Sequence, residues 1–169
     1  MMNILGAVLI VLGCSTVGFL MASEYLREIS VLRNLISILE YWKNAIDYHH
    51  TTLPELCKRA EETDTIVLKD FFKRLQEQFS NTQNADASQC AKAALLLCPN
   101  IPKSCEVLLL KLSTGLGMFD ATGQIHEIDS ILDEAQHTLS ELLQVRDQRI
   151  KTYKTFGICI GIAIAILII

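Results

Sequence analysis

The sequence predicts an all-α protein, a compact helical bundle of about six helices whose first and last members run on into hydrophobic membrane helices. Three observations predict it. From Asp120 onward, Ile125, Ile128, Leu132, Ala135, Leu139 and Leu142 recur at alternating spacings of three and four, the period of one helical face, and no Pro interrupts the chain to Ile169. Ile4–Ala22 and Phe156–Ile169 carry no charge, and each joins directly onto an amphipathic pattern. Between the two, Pro and polar breaks divide the chain into pieces of helical length. The expected organisation is a membrane helix at 4–22, a helical bundle at 23–155 and a short membrane helix at 156–169.

Composition narrows the function classes. A chain of 169 residues holds one domain, and removing the apolar ends leaves about 130 residues for its core. Half the residues are hydrophobic, with the excess in the terminal runs, and the formal net charge is −4 without a polybasic block. Nucleic acid is therefore not an expected partner, because neutralising its backbone needs clustered Lys and Arg. Cys14, Cys57, Cys90, Cys98, Cys105 and Cys159 show no C-x-x-C pair and no His at finger spacing. Cys14 and Cys159 lie inside the apolar runs, the other four read as reduced thiols in a cytosolic helical core, and no metal or cofactor is expected.

The first run is nineteen residues long, enough at ~1.5 Å per residue to cross a hydrocarbon layer of about 30 Å. A cleavable signal peptide would want a basic start and a small residue where Leu20 stands before Ala22. A lipoprotein signal at Val11-Leu12-Gly13-Cys14 would turn polar after the Cys, and this chain does not. A retained anchor is the expectation. Glu24 to His50 then continues as a long amphipathic helix, with Tyr25, Ile29, Leu32, Ile36, Leu39, Trp42 and Ile46 on one stripe. Glu28, Arg33, Glu40, Lys43 and Asp47 lie opposite, on a face read as solvated.

Thr52 is placed to cap a second helix, with Leu53 and Pro54 as its first residues, running to about Glu62. Thr63-Asp64 would cap a third, whose core face is Leu68, Phe71, Phe72, Leu75 and Phe79, and Ser80 to Asn84 breaks it. A fourth helix over about Ala87–Cys98 carries almost no charge and should be the most buried. Pro99-Asn100-Ile101-Pro102 stops it. The fifth begins at Pro102 or Lys103 and carries Val107, Leu108, Leu109, Leu110 and Leu112 toward Gly115. In the turn Gly115 to Asp120, Gly ends the fifth helix and Asp120 caps the last, its charge favourably near the positive helix end.

The final apolar run spans fourteen residues, about 21 Å at helical rise. Tyr153 and Thr155 extend it into the membrane interface, while Lys151 and Lys154 snorkel. Gly157 and Gly161 form a G-x-x-x-G pair, and Gly6, Gly13 and Gly18 place small residues on the first run. Close packing of the two runs, assembly with other chains and lipid-facing glycines are all compatible with that pattern. Arg27, Arg33, Arg146, Arg149, Lys151 and Lys154 flank the runs on the domain side, and the tails carry no basic side chain. The positive-inside rule then places the domain in the cytoplasm.

The segment Leu39-Glu40 through Ile46-Asp47-Tyr48-His49-His50-Thr51-Thr52-Leu53, and Leu116-Gly117-Met118-Phe119-Asp120 followed by Gln124, resemble the stage III sporulation protein AB family of endospore-forming bacteria. Thr52-Leu53-Pro54 stands where the family has Thr-Pro-Leu. The resemblance covers essentially the whole chain. It implies a membrane component of the channel complex between mother cell and forespore, located in the mother-cell membrane around the forespore. It also implies a bundle similar to the cytoplasmic domains of type II secretion platform proteins, coupling a cytoplasmic secretion-type ATPase to the other membrane proteins of the complex.

No nucleophile elbow, phosphate loop or zinc helix motif occurs, so the expectation is a non-enzymatic platform or adaptor in contact with the lipid bilayer. The alternative is a self-associating membrane-anchored coiled coil built from the two long stripes. A compact bundle would instead consume both stripes internally. Candidate turn or partner contacts are Leu116, Gly117, Asp120 and Gln124, with Glu40 and Asp47 on the first helix. Lys151, Tyr153 and Lys154 are the membrane-interface residues.

Overall fold

A computed structural model describes the backbone of residues 2–49, 53–63, 65–81, 87–115 and 121–168, and their side chains except at 2–5, 7, 8, 10, 11, 49, 53, 54, 80, 81, 115, 121, 122, 167 and 168. Its order is α1 (Met2–His49), α2 (Leu53–Ala60), α3 (Ile66–Asn81), α4 (Ala87–Leu96), α5 (Lys103–Gly115) and α6 (Ala121–Ile168), with no strand among the described residues. The all-helical bundle is as expected. The chain divides into two compact units, one of residues Ser30–Leu139 and one of the segments Met1–Ile29 and Ser140–Ile169. α1 and α6 each contribute to both units.

In the Ser30–Leu139 unit, α2 packs on α3, α3 on α4 and α4 on α5. Leu32, Leu35, Leu39 and Trp42 of α1 are fully buried, as are Phe71 and Phe72 of α3, Leu109 of α5 and Ile128 and Ile131 of α6. The Trp42 and Phe72 rings lie 5.4 Å apart, and Phe71 meets Phe72 edge-on at 5.2 Å. Such tilted contacts set the positive ring edge against the neighbouring π face. Within this unit the α1 stripe is buried from Leu32 to Ile46, and the α6 stripe at Ile128, Leu132 and Ala135.

Local chemistry moves several expected boundaries. Glu62 and Thr63 donate to the carbonyls of Arg59 and Ala60, so α2 tightens and ends at Ala60 rather than near Glu62. Leu97 and Cys98 close the same kind of turn onto Ala94 and Leu95, ending α4 at Leu96 rather than Cys98. The cap of α3 is Thr65, whose carbonyl accepts from Lys69 N–H. Its hydroxyl accepts a hydrogen bond from the Asn34 amide, tying α1 to the start of α3. Pro102 caps α5 in the same way, through Glu106 N–H at 2.9 Å. The proposed caps Thr52, Asp64 and Asp120 lie outside the described residues.

Cys57, Cys90, Cys98 and Cys105 are buried free thiols. Burial, reinforced by the Glu61 carboxylate, pushes Cys57 from 9.0 up to about 12. A thiol whose folded pKa lies above its unfolded one adds stability that is complete below about pH 9 and disappears between about 9 and about 12. The native chain is therefore expected to lose more stability than Cys57→Ala between about pH 8 and about pH 10.5. Parallel urea-midpoint curves for the two would refute this.

Candidate functional site

The second unit is an antiparallel helix pair, since Phe19 meets Lys154, Gly18 meets Gly157, and Tyr25 meets Leu142 and Arg149. Its seam is made of small residues, with Gly18 and Ala22 on α1 and Gly161 and Ala165 on α6 all buried. A Cβ on Gly18 would stand 2.6 Å from the Tyr153 carbonyl oxygen, and one on Gly157 would stand 2.9 Å from that of Cys14. The two backbones approach as only glycine permits, which selects close packing of the two runs among the three readings of the glycine pattern. Gly6 and Gly13 have nothing within 4 Å of such a Cβ and take no part.

Aromatic and cationic side chains close one end of the seam. The Tyr25 hydroxyl donates to the Leu142 carbonyl at 2.7 Å, and burial pushes its phenol up against the opposing Arg149 charge, so it stays a donor. The Arg149 guanidinium sits 5.6 Å from the Tyr25 ring centroid, and the Lys154 ammonium 5.5 Å from that of Phe19. Lys151 is exposed and Tyr153 half-buried beside Gly18. Around the seam, Leu12, Val17, Phe19, Leu20, Met21, Phe156, Ile158, Ile160 and Ile162 all face outward. This is the inverse of a water-soluble pair, which buries its large apolar residues and exposes its small or polar ones.

Among the described residues, no helix is long and apolar enough to cross a membrane. Residues 4, 5, 7, 8, 10 and 11 of the first apolar run and 167–169 of the second lie outside the described side chains.

The remaining candidates separate. Glu40 and Asp47 are exposed on the α1 face opposite the core. Lys43, read as solvated beside them, instead bonds Asp129 of α6 at 2.6 Å, which pushes its ammonium pKa up. Sequence periodicity identifies the face and says nothing of a partner so distant in the chain. Lys111 of α5 and Glu134 of α6 form a second interhelix ion pair, at 2.6 Å. Gln124 is half-buried and engaged by neighbours, whereas Leu116, Gly117 and Asp120 lie outside the described residues. Among the described residues, no group of three or more His, Cys, Asp or Glu is placed to hold a metal ion.

The family model for stage III sporulation protein AB matches residues 3–169, nearly the whole chain. No curated protein matches the chain, and no solved structure does.

Proposed function

The chain belongs to the stage III sporulation protein AB family, and from that premise we propose that it is a non-enzymatic membrane platform in a secretion-like channel complex of sporulating cells. The observation that carries this reading is the helix pair, with its glycine seam inside and large apolar side chains outside. Lipid is the solvent in which such an arrangement is favourable: tails cover the outer residues, and close backbone contact supplies the packing that hydrophobicity no longer drives. Lys151, Tyr153 and Lys154 take the membrane interface. Basic residues on the domain side alone orient the bundle toward the cytoplasm.

In this reading the bundle receives a cytoplasmic secretion-type ATPase, with the exposed face of Glu40 and Asp47 as the contact surface and Leu116, Gly117, Asp120 and Gln124 as further candidate contacts. The helix α6 carries the coupling, as one rod from bundle to bilayer. Two measurements test this. A Glu55→Cys label site, exposed on α2, should react with a membrane-impermeant thiol reagent only after cells are permeabilised; reaction in intact cells refutes ATPase contact. A flexible Gly-Ser insert beside Lys151 should abolish spore formation, and normal sporulation with that insert rules out the rod.

A further inference from the structure

On the Ser30–Leu139 unit, the start of α3 and the α4–α5 turn enclose a cleft of about 350 Å³. Ile66, Leu97 and Pro99 supply its apolar lining. Two of them are unusual in a unit that buries most of its described leucine and isoleucine: Ile66 is 81% exposed and Leu97 52%, and Leu96, next to Leu97 in the chain, is 84% exposed. Apolar side chains gathered round a concavity mark a surface that is covered in use.

The charges at this cleft select what covers it. Asp70 is its one acidic residue, and its carboxylate is already engaged by Arg74 Nε at 3.1 Å and by the Cys98 thiol at 3.6 Å. Burial, and then Asp70 itself, push Cys98 up, so the thiol stays protonated and keeps donating. Lys69 and Lys73 also line the cleft, four residues apart on one face of α3, and neither has an ion-pair partner among the described residues. The lining is therefore apolar with two uncompensated positive charges along one edge.

We infer that this cleft is a docking site for a short amphipathic helix of a partner protein, one that seats an apolar side chain between Ile66 and Leu97 and presents carboxylates to Lys69 and Lys73. A bilayer surface is flat and does not fill a concavity, and two lysines on a chain of net charge −4 are too few to hold nucleic acid. A helix carrying carboxylates one turn apart matches both the hollow and the lysine spacing. The site is separate from the acidic face of α1, and its failure would leave the platform reading untouched.

The test is photo-crosslinking in sporulating cells, using the full chain with a benzophenone amino acid at Leu97, at Ile66 or, as control, at exposed Glu55. Expected are discrete adducts from Leu97 and Ile66 but not Glu55, and mass spectrometry should identify the captured peptide as an apolar residue flanked by Asp or Glu. Lys69→Glu with Lys73→Glu should lower the yield about tenfold or more, and Lys69→Arg with Lys73→Arg should retain it. Where charge reversal lowers the melting temperature, Lys69→Gln with Lys73→Gln takes its place. A captured peptide of this same chain, a lipid adduct, a peptide without acidic residues, equal yield from the charge-reversed chain, or no adduct would each overturn the proposal.

Discussion

Replacing Trp42 with alanine is expected to cost the bundle about 3–5 kcal/mol. Its indole is 1% exposed and meets Phe72 at a tilt, and Phe72 in turn meets Phe71, so truncation opens a cavity among rigid rings. For a domain with a typical stability of about 5–15 kcal/mol, that is about a fifth of the total or more. Trp42→Phe should lose much less, about 1 kcal/mol. The reason is specific: the buried Nε1–H has no hydrogen-bond partner among the described residues, so removing it sacrifices no bond. Trp42 is the only tryptophan, so urea unfolding has to be followed by far-UV circular dichroism. Equal losses for the two variants would show that the indole N–H is engaged after all.

Gly18→Leu is expected to force the helix pair apart, with a loss of about 3 kcal/mol or more in the detergent-solubilised chain. The obstacle is backbone, since the first added atom would already lie 2.6 Å from the Tyr153 carbonyl oxygen and 3.2 Å from the Gly157 Cα. No rotamer relieves such a contact. Gly157→Leu should behave alike, meeting Cys14 O and Gly18 Cα. Gly13→Ala provides the contrast: nothing lies within 4 Å of its added Cβ, and alanine's better helix propensity should leave the pair unchanged or slightly firmer. Titration of the folded chain with dodecyl sulfate, scored by loss of helicity, orders the three. A Gly18→Leu midpoint equal to that of Gly13→Ala would remove the seam from the account.

How much of this was legible depended on periodicity. All seven stripe residues from Tyr25 to Ile46 are buried, because a three-and-four spacing over so many turns has one physical solution. Where apolar residues are consecutive, that signal vanishes: α5 carries a run at Val107, Leu108, Leu109 and Leu110, and Val107 proves half exposed while Leu109 is buried. The same reason hid the outward Leu96 and Leu97 in a helix expected to be the most buried, and with them the cleft on α3. Ile131, outside the three-and-four series beside Leu132, faces the core with it. The glycines announced a close approach without naming their partner, since a residue without a side chain carries no complementary shape or charge. Lys43 looked solvated because its partner Asp129 lies on another helix.

The Gly18–Gly157 contact also bears on how the protein is made. It joins residues near opposite ends of the chain, so the first apolar helix leaves the ribosome long before its partner exists. At roughly 5–20 residues per second, synthesis of the intervening segment takes on the order of ten seconds. Throughout that interval the small-residue face of Gly18 and Ala22 has no partner from its own chain. Only completion of the last helix supplies one. Chains truncated before Gly157 lack the partner of this seam, and are expected to associate with one another and to be degraded faster than the full chain.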